Sequence, residues 1–368
     1  MNHNDFREAS IFGRYVTGQM LEEKWLPKLQ GVKVTNVGKS VDGNSIHTIS
    51  VGSGKRKVFM WSQMHGNEST TTKAVLDLIA FLTSNDSLAS NIGEHCELLI
   101  VPILNPDGAE RYTRVNANEV DLNRDAKQLT QPESKILRKL FEQFQPDFCF
   151  NLHGQRTLFS AGNVEKSATV SFLSPASDET RKLNPTREQA MRIIVAMNHK
   201  LQLSIPGQVG RYDDGFNDNC VGDSFQMQKV PTILFEAGHY PNDYEREKTR
   251  EYIFYSLVES LKVIANDTVN DFSTDDYFSI PENQKLFFDI LIKNLHHLNP
   301  KTEEGLAVGI RYKETLENDK VSFVPEIADI GNLDGFFGHK TYDCADSEDV
   351  EHLHAKKNII DLLLDVRK

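Results

Sequence analysis

The stretch Lys57-Val-Phe-Met-Trp-Ser-Gln-Met-His-Gly-Asn-Glu-Ser-Thr-Thr-Thr-Lys-Ala-Val-Leu-Asp-Leu-Ile-Ala-Phe-Leu-Thr-Ser84 contains two different hydrophobic patterns. Its first eight residues are apolar enough for a buried strand, and from Ser69 onward the apolar side chains have the spacing of an amphipathic helix. His65 and Glu68 lie where the strand meets the helix. Because residues three apart at a helix start can share one face, the stretch predicts an imidazole and a carboxylate side by side at a strand–helix junction.

Two further apolar segments end in polar residues of the same kind. Residues 147–152 are followed by His153, and residues 230–235 are followed by Glu236. Polar groups at the ends of several core strands are typical of a site at the carboxyl edge of an open α/β sheet. We therefore expect these residues to meet His65 and Glu68 at one edge of the sheet.

Two imidazoles and one carboxylate form a three-ligand set that suits Zn²⁺ and leaves a fourth position for water. A further Glu could act as general base on that water. Taken singly, each piece has an ordinary explanation: a chance H-x-x-E, a hydrogen-bonded His at a strand end, a solvated Glu beside Gly. The joint arrangement favours a zinc hydrolase.

Three more motifs lie between Glu68 and His153: Asn105-Pro-Asp-Gly108, Arg114-Val-Asn116 and Asp121-Leu-Asn-Arg124. The first is by itself only a turn signal. The complete order H-x-x-E, N-P-D-G, R-x-N, D-L-N-R, His, Glu resembles the zinc carboxypeptidase family of metallopeptidases, over roughly residues 40–265. The resemblance implies a zinc-dependent metallocarboxypeptidase that cleaves the C-terminal amide bond of a short peptide with a free carboxylate.

The resemblance also implies roles for individual residues. His65, Glu68 and His153 would bind one Zn²⁺ per chain, and Glu236 would be the general base and proton shuttle. Zinc supplies a Lewis acid and a water of lowered pKa, which gives that base a proton to take.

Three residues of the same motifs would contact the substrate. Arg114 would polarise the scissile carbonyl, and Asn123 and Arg124 would hold the terminal carboxylate. These assignments agree with the chemistry of arginine, whose planar, always charged fork matches a carboxylate. A positive group placed where oxyanion charge develops lowers the barrier of acyl transfer.

The chain departs from the family at two places. Many members have Arg between the metal-binding His and Glu, whereas this chain has Gly66 and Asn67, so one substrate-binding charge is missing. The mobile tyrosine that caps the substrate has no unambiguous counterpart. Tyr212, in a glycine-flanked stretch suited to a mobile lid, is our choice over Tyr240 and Tyr244.

The segment between Tyr212 and Glu236 is acidic, and in the family it lines the pocket for the substrate side chain. Its acidic residues are Asp213, Asp214, Asp218 and Asp223. We predict that Asp223 lies in the pocket and favours a basic or amine-bearing side chain by charge pairing. The alternative is that all four belong to a solvated loop surface.

Two other functions stay open. The short interval from Glu68 to His153 approaches that of the aspartoacylase and succinylglutamate desuccinylase group, which shares the zinc site but cleaves N-acyl amino acids. A noncatalytic peptide-binding relative is the second alternative. The presence of Glu236 argues against it, because binding alone needs no base.

Composition bounds the remaining possibilities. The chain has 368 residues, 39% hydrophobic and 26% charged, and a formal net charge of −12, which argues against nucleic acid and anionic membranes as partners. No apolar run is long enough to span a bilayer, and the N-terminus lacks a signal-peptide pattern, so we expect a cytoplasmic protein. The four Cys form no C-x-x-C pair and indicate neither a disulfide framework nor a Cys-zinc site. The oligomeric state is not predicted.

Strands alternating with helices predict an α/β fold with a mixed, largely parallel sheet covered by helices on both faces. We expect a catalytic domain over residues 1–270, an acidic linker over 266–276 and a small α+β appendage over 277–368. Helices are predicted at 2–29, 133–144, 185–203, 244–265 and 281–298, and strands at 306–312 and 358–366. The histidine pairs His296-His297 and His352-x-His354 are predicted to lie on the surface.

Overall fold

The computed structural model describes residues 1–367, which divide into two compact units. The first unit contains Met1–Gln155 and Ala168–Asn283. The second contains Arg156–Ser167 and residues 284–367.

The first unit contains most of the secondary structure. Its strands are β1 (Lys33–Lys39), β2 (Ser45–Gly52), β3 (Arg56–Ser62), β4 (Cys96–Val101), β5 (Phe148–Gly154), β7 (Val170–Leu173), β8 (Val209–Arg211) and β9 (Thr232–Ala237). Its helices are α1 (Gly18–Lys24), α2 (Thr70–Leu82), α3 (Ser87–His95), α4 (Pro106–Arg111), α5 (Pro132–Phe144), α6 (Pro185–Gln202), α7 (Val221–Met227), α8 (Glu247–Ala265) and α9 (Thr274–Ser279).

The second unit is smaller. Its strands are β6 (Ser160–Ala161), which pairs with β10 (Asn283–Gln284), then β11 (Phe287–Lys293), β12 (Ala307–Glu317), β13 (Lys320–Gly331) and β14 (Phe337–Asp343). Its helices are α10 (Ser347–His354) and α11 (Lys357–Leu364).

The eight strands of the first unit form one mixed sheet in the order β1-β2-β4-β3-β5-β9-β7-β8. The central strands β4, β3, β5 and β9 run parallel to their neighbours within this group. Antiparallel pairs flank them: β1 with β2, β2 with β4, and β7 with β9. The predicted α/β class with a mixed sheet is confirmed.

Helices cover both faces of this sheet. Apolar residues of α2, α3, α6 and α8 pack on one face, together with Phe150 and Leu152 of β5. On the other face α5 and α7 contribute Leu137, Phe141 and Phe225 to a smaller core that includes Cys149 of β5. Strands buried on both sides read as continuous apolar runs, which is the pattern seen in β3, β5 and β9.

The second unit is built on a four-stranded sheet in the order β13-β12-β11-β14, with β14 parallel to β11 and the other pairs antiparallel. Helices α10 and α11 cover it. Leu353 and Leu363 of these helices share a buried cluster with Ile290, Ile292 and Val308 of the sheet.

Two assignments in this unit were wrong. Residues 281–298 do not form a helix but contain β11, whose residues are buried from Phe287 to Ile292. A short apolar run buried on both faces has no period that separates strand from helix. Residues 358–366 were expected to be a strand and instead contain α11, which buries Ile359, Ile360 and Leu363 at helical spacing.

The predicted leading helix and acidic linker also differ from the structure. Within residues 2–29 the α-helical part is α1 alone, apart from two short 3₁₀ turns. The expected linker packs through Val269 and Phe272 against the core of the first unit, which continues through Tyr277 to Asn283. The second unit also includes residues 156–167, which interrupt the first unit along the chain. The predicted division into two consecutive domains did not include this insertion.

Candidate metal centre

The register of three parallel strands brings the predicted site residues to one edge of the sheet. Strand β5 pairs with β9 so that His153 lies opposite Glu236, and β3 pairs with β5 up to Ser62 opposite Leu152. The chain leaves β3 after Ser62, and His65 and Glu68 follow in the turn before α2. Neighbouring parallel strands therefore end together at this point, as the sequence predicts.

Three side chains converge there. The Nδ1 atom of His65 lies 2.8 Å from Glu68 Oε1, and the Nδ1 atom of His153 lies 3.0 Å from Glu68 Oε2. The two Nδ1 atoms are 3.1 Å apart. Both imidazoles are buried, and the backbone N–H of Gly154 donates to Glu68 Oε2 at 2.9 Å.

A carboxylate holds the far side of one imidazole. Asp121 Oδ1 lies 3.0 Å from His65 Nε2 and also accepts from the backbone N–H of Asn123. Arg114 donates through Nε to Asp121 Oδ2 and through Nη1 to Glu68 Oε1, at 3.1 and 3.4 Å. Without a metal ion, His65 can donate from both ring nitrogens, to Asp121 through Nε2 and to Glu68 through Nδ1. A metal ion would take the place of the Nδ1 proton, while Asp121 keeps the proton on Nε2; these protonation states are inferred from the hydrogen-bond partners.

The electrostatics of the cluster follow from burial and from its own charges. Burial disfavours the charged form of His65, but the Glu68 carboxylate and the Asp121 hydrogen bond outweigh it and raise the pKa of His65 to about 9. Burial lowers the pKa of His153. Burial would raise the pKa of Glu68, yet the adjacent imidazoles hold it below its usual range.

Glu236 has the opposite environment. Burial raises its pKa well above the ordinary value, and the charge of Glu68 raises it further. Its Oε2 atom is buried and makes no hydrogen bond within residues 1–367. A buried carboxyl group with such a raised pKa beside an ionised one is the pairing expected where proton transfer takes place.

The donor set fits a divalent metal ion. His65, Glu68 and His153 each offer one ligand atom, and these atoms lie within 4.8 Å of one another. Two imidazole nitrogens facing each other at 3.1 Å cannot both keep lone pairs there without a proton or a cation between them. Two His and one carboxylate, with Asp121 behind one imidazole, are the ligand type and outer-shell support of catalytic zinc sites.

The predicted carboxylate-binding residues lie on a short 3₁₀ helix, Leu122–Arg124, which Asp121 caps. The side-chain oxygen of Asn123 accepts from the backbone N–H of Val221 at 3.0 Å, so the start of α7 fixes its orientation. Arg124 has an exposed guanidinium that donates to the carbonyl of Asn123 at 2.8 Å. Both residues lie within three positions of Asp121 in the chain, and Asp121 contacts His65 of the cluster.

Tyr212, the favoured candidate among the three tyrosines, interacts electrostatically with the cluster. Burial and then the charges of Glu236 and Glu68 raise the pKa of its hydroxyl. Tyr240 instead packs on Tyr252, with ring centroids 5.7 Å apart, and Tyr244 contacts the His239 ring at 4.7 Å. This arrangement favours Tyr212 as the capping residue.

The four acidic residues after Tyr212 separate into two kinds. Asp213 is exposed, Asp214 pairs with Arg187 and Asp218 pairs with Lys127 at the surface. Asp223 is 8% exposed, and burial raises its pKa to about 6. The solvated-surface alternative therefore does not hold for Asp223.

One residue that supports the site, Arg246, lies in no motif that the sequence analysis could identify. Arg246 is buried and donates to the carbonyl oxygens of Ala237 at 2.6 Å and Gln155 at 2.9 Å. Ala237 follows Glu236 at the end of β9, and Gln155 is the first residue after β5, two positions beyond His153. Arg246 holds the ends of β5 and β9 together although it lies in a loop with no motif. Asp121, which contacts His65, belongs by contrast to one of the sequence motifs, Asp121-Leu-Asn-Arg124.

The other histidine pairs form no such cluster. Within residues 1–367, His65, Glu68 and His153 are the one group of three or more His, Cys, Asp or Glu residues close enough to hold a metal ion. In the same part of the chain, no helix is long and apolar enough to cross a bilayer.

A mixed α/β sheet with a His–Glu–His cluster at its carboxyl edge is the arrangement expected of the metallocarboxypeptidase class. The chain belongs to the zinc carboxypeptidase family, whose model matches residues 20–221. The matched range includes the three cluster residues together with Arg114 and Arg124, and it ends before Glu236. The resemblance inferred from the motifs is confirmed.

Individual relatives agree with this assignment. Carboxypeptidase 2 of Trichophyton rubrum is 32% identical over 111 residues, which are 30% of this chain and 20% of that protein. Carboxypeptidase SOL1 of Arabidopsis thaliana is 31% identical over 141 residues, 33% of this chain and 29% of that protein. The chain thus matches about a fifth to a third of these relatives' length.

A solved structure shows the same fold. A metallo-carboxypeptidase from Pseudomonas aeruginosa superposes with a TM-score of 0.54 at 18% identity, over 68% of each chain. Carboxypeptidase A from Helicoverpa armigera gives a TM-score of 0.52 at 18% identity, over 70% of this chain and 74% of that one.

We predict that Asp121→Asn weakens zinc binding by about 10-fold to 100-fold, the usual cost of losing an outer-shell partner of a metal-binding His. The swap keeps the shape but removes the charge that holds His65 Nε2–H. Competition with a chromophoric chelator measures the affinity. Asp125→Asn is the matched control, because Asp125 accepts hydrogen bonds from Thr130 and Gln131. Equal losses in both variants would contradict the assignment.

A second prediction concerns Asp223 and pH. Its pKa of about 6 exceeds the ordinary 3.8, so its ionisation opposes folding, and the cost grows from about pH 4 to pH 6 and is complete above. Asp223→Asn removes that cost. We expect the variant to be more stable than the parent by about 1–3 kcal/mol at pH 7.5, since one pKa unit corresponds to about 1.4 kcal/mol.

Urea unfolding at pH 4.5 and 7.5 measures this difference, which should fall to about a third of its value at the lower pH. The exposed Asp213→Asn serves as control and should change stability little at either pH. A gain from Asp223→Asn that is independent of pH would show that burial of the charge is not its cause.

Proposed function

We propose that this protein is a zinc-dependent metallocarboxypeptidase that hydrolyses the C-terminal amide bond of short peptides with a free carboxylate. The observation that carries the proposal is the convergence of His65, Glu68 and His153 within 4.8 Å beside Glu236, whose Oε2 atom is buried. Family membership supports the same chemistry. The cytoplasmic location stays a prediction.

The zinc ion, when bound by His65, Glu68 and His153, supplies a Lewis acid and lowers the pKa of water at the site. Glu236 takes a proton from the attacking water and delivers it to the leaving amine, a role for which its raised pKa suits it. The guanidinium of Arg114 stabilises the negative charge that develops on the carbonyl oxygen. Asn123 and Arg124 bind the terminal carboxylate and set the position of the scissile bond.

The side-chain pocket contains Asp223, whose charge favours a C-terminal Lys or another amine-bearing residue. Its burial supports this assignment, because a partly desolvated carboxylate gains most from an opposite charge. A panel of peptides that differ only in the C-terminal residue tests it. Faster turnover of Phe or Leu than of Lys, in an order that Asp223→Ala leaves unchanged, would exclude the acidic pocket.

An N-acyl amino acid hydrolase is the second candidate, and Asn67 is the feature that favours it. Asn67 stands where many carboxypeptidases have an Arg, so the site lacks one charge for peptide binding. Turnover of a mixed panel of dipeptides, murein peptides and N-acyl amino acids, after zinc analysis of the purified protein, separates the two. Stoichiometric zinc without turnover of any substrate would favour a peptide-binding relative.

We expect Glu236→Gln to keep the fold and the zinc but to lose about 10²-fold to 10⁴-fold in kcat, the usual contribution of a general base. The substitution is nearly isosteric and removes only the proton acceptor. Steady-state kinetics and zinc analysis on the same sample measure both effects. Glu282→Gln, at an exposed residue that pairs with Arg211, is a control for general effects; near-parental turnover in Glu236→Gln would place the base elsewhere.

Arg124→Ala should raise KM for substrates with a free carboxylate by about tenfold or more, and should affect their C-terminal amides much less. A guanidinium binds a carboxylate bidentately, and a neutral amide cannot repeat that pairing. Paired kinetics on acid and amide forms of one peptide measure the difference. An equal loss on both forms would instead give Arg124 a structural role.

A further inference from the structure

A buried glutamine lies two residues before the first metal-binding histidine. Gln63 follows the last residue of β3, is fully buried and has a backbone φ of +48°. Residues other than glycine adopt this left-handed conformation only at a cost, so the surroundings must enforce it. The unusual conformation turns the chain out of the sheet and into the segment that carries His65 and Glu68.

The Gln63 side chain makes three hydrogen bonds that explain how the conformation is held. Its Nε2 group donates to the carbonyl oxygens of Val16 and Gly66, each at 2.7 Å. Its Oε1 atom accepts from the hydroxyl of Thr72 at 2.9 Å. One buried amide therefore joins the N-terminal segment, the turn between the two metal-binding residues and the first helical turn of α2.

Neighbouring bonds reinforce the same connection. Residues 11–17, which we call the N-terminal strap, include the buried Ile11 and Val16. The hydroxyl of Ser69, directly after Glu68, donates to the strap carbonyl of Arg14 at 2.5 Å. The strap is held from α8 as well, because Arg250 Nη1 donates to the carbonyl of Ile11 at 2.9 Å.

The opposite side of the turn has no room to move. The backbone N–H of Asn105 donates to the carbonyl of Gln63, and its side chain donates to the carbonyl of Met64 at 3.1 Å. Gly66 packs so closely on α4 that a Cβ atom there would lie 1.9 Å from the carbonyl carbon of Gly108. The turn is therefore fixed between α4 on one side and the strap on the other.

We propose that Gln63 is a positioning residue of the metal centre. Its hydrogen bonds hold the His65–Glu68 turn against the anchored N-terminal strap, and this connection sets the affinity of the metal centre for zinc. The inference rests on the proposed zinc site for its affinity measurement. The coupling of strap to turn is a property of the zinc-free protein and can be measured separately.

Two substitutions distinguish the effect of the side-chain amide from the effect of the backbone conformation. Gln63→Glu keeps the size of the side chain but replaces the donating NH₂ group with a carboxylate oxygen. That oxygen would face the carbonyl oxygens of Val16 and Gly66 and could not donate to them. Gln63→Gly removes the side chain and accepts the positive φ without cost. If Gln63→Glu does not fold, Gln63→Gly still tests the inference.

Asn299→Asp is the matched control. Asn299 belongs to the second unit, is 2% exposed and donates from Nδ2 to the carbonyl oxygens of Leu363 and Val366, both at 2.9 Å. The substitution therefore removes the same kind of buried amide donor that Gln63→Glu removes. It measures what the loss of a buried amide donor away from the site does to the metal centre.

We expect both Gln63 variants to bind zinc about 10-fold to 100-fold more weakly in competition with a chromophoric chelator, and Asn299→Asp to bind it as the parent does. In zinc-free protein, amide hydrogen exchange of both variants should accelerate at least tenfold in residues 11–17 and 64–68 together. The control should leave both segments unchanged.

Each other result overturns the inference. Folded Gln63 variants with zinc affinity within threefold of the parent would show that the amide does not set the affinity. An equal loss in Asn299→Asp would assign the effect to global stability, and acceleration in only one of the two segments would show that they are not coupled. A parent protein without zinc affinity would refute the proposed function, whereas the exchange measurement would still decide the coupling.

Discussion

The parallel pairing of β3, β5 and β9 is the constraint on which the site depends. Side chains alternate across a strand, so a shift of one residue in register would carry His153 or Glu236 to the opposite face of the sheet. The observed register places His153 opposite Glu236 and brings β3 to its end beside them. Cores on both faces hold these strands, and Arg246 joins the ends of two of them.

Neighbouring charges give the two carboxylates of the site pKa values that are shifted in opposite directions. Glu68 faces two imidazoles and a backbone N–H, which stabilise its charge and lower its pKa. Glu236 is equally enclosed but has the charge of Glu68 as its neighbour, so its pKa rises. A metal ligand must be ionised and a proton shuttle must take up and release a proton near neutral pH, so the environments match the roles that the family resemblance implies.

The wrong predictions for β11, α11 and the linker share a physical cause. β11 is buried along six consecutive residues, so no alternation reveals a strand, and α11 is too short for its period to stand out. The acidic segment before Tyr277 has the composition of a linker, yet its few apolar residues reach the core of the first unit. The hydrophobic pattern of a segment predicts its secondary structure least well where the segment is short and tertiary packing decides which structure it adopts.

The sequence by itself determined the α/β class, the three strands that end in polar residues, and the family, because these depend on periodicity and on motifs local in the chain. It also named every member of the His–Glu–His cluster and Glu236. Tertiary structure alone decided that Asp223 is buried while Asp213, Asp214 and Asp218 are solvated or paired, and that the first unit extends to Asn283. It alone revealed Gln63 and Arg246, whose hydrogen bonds join segments distant in sequence and therefore leave no local pattern.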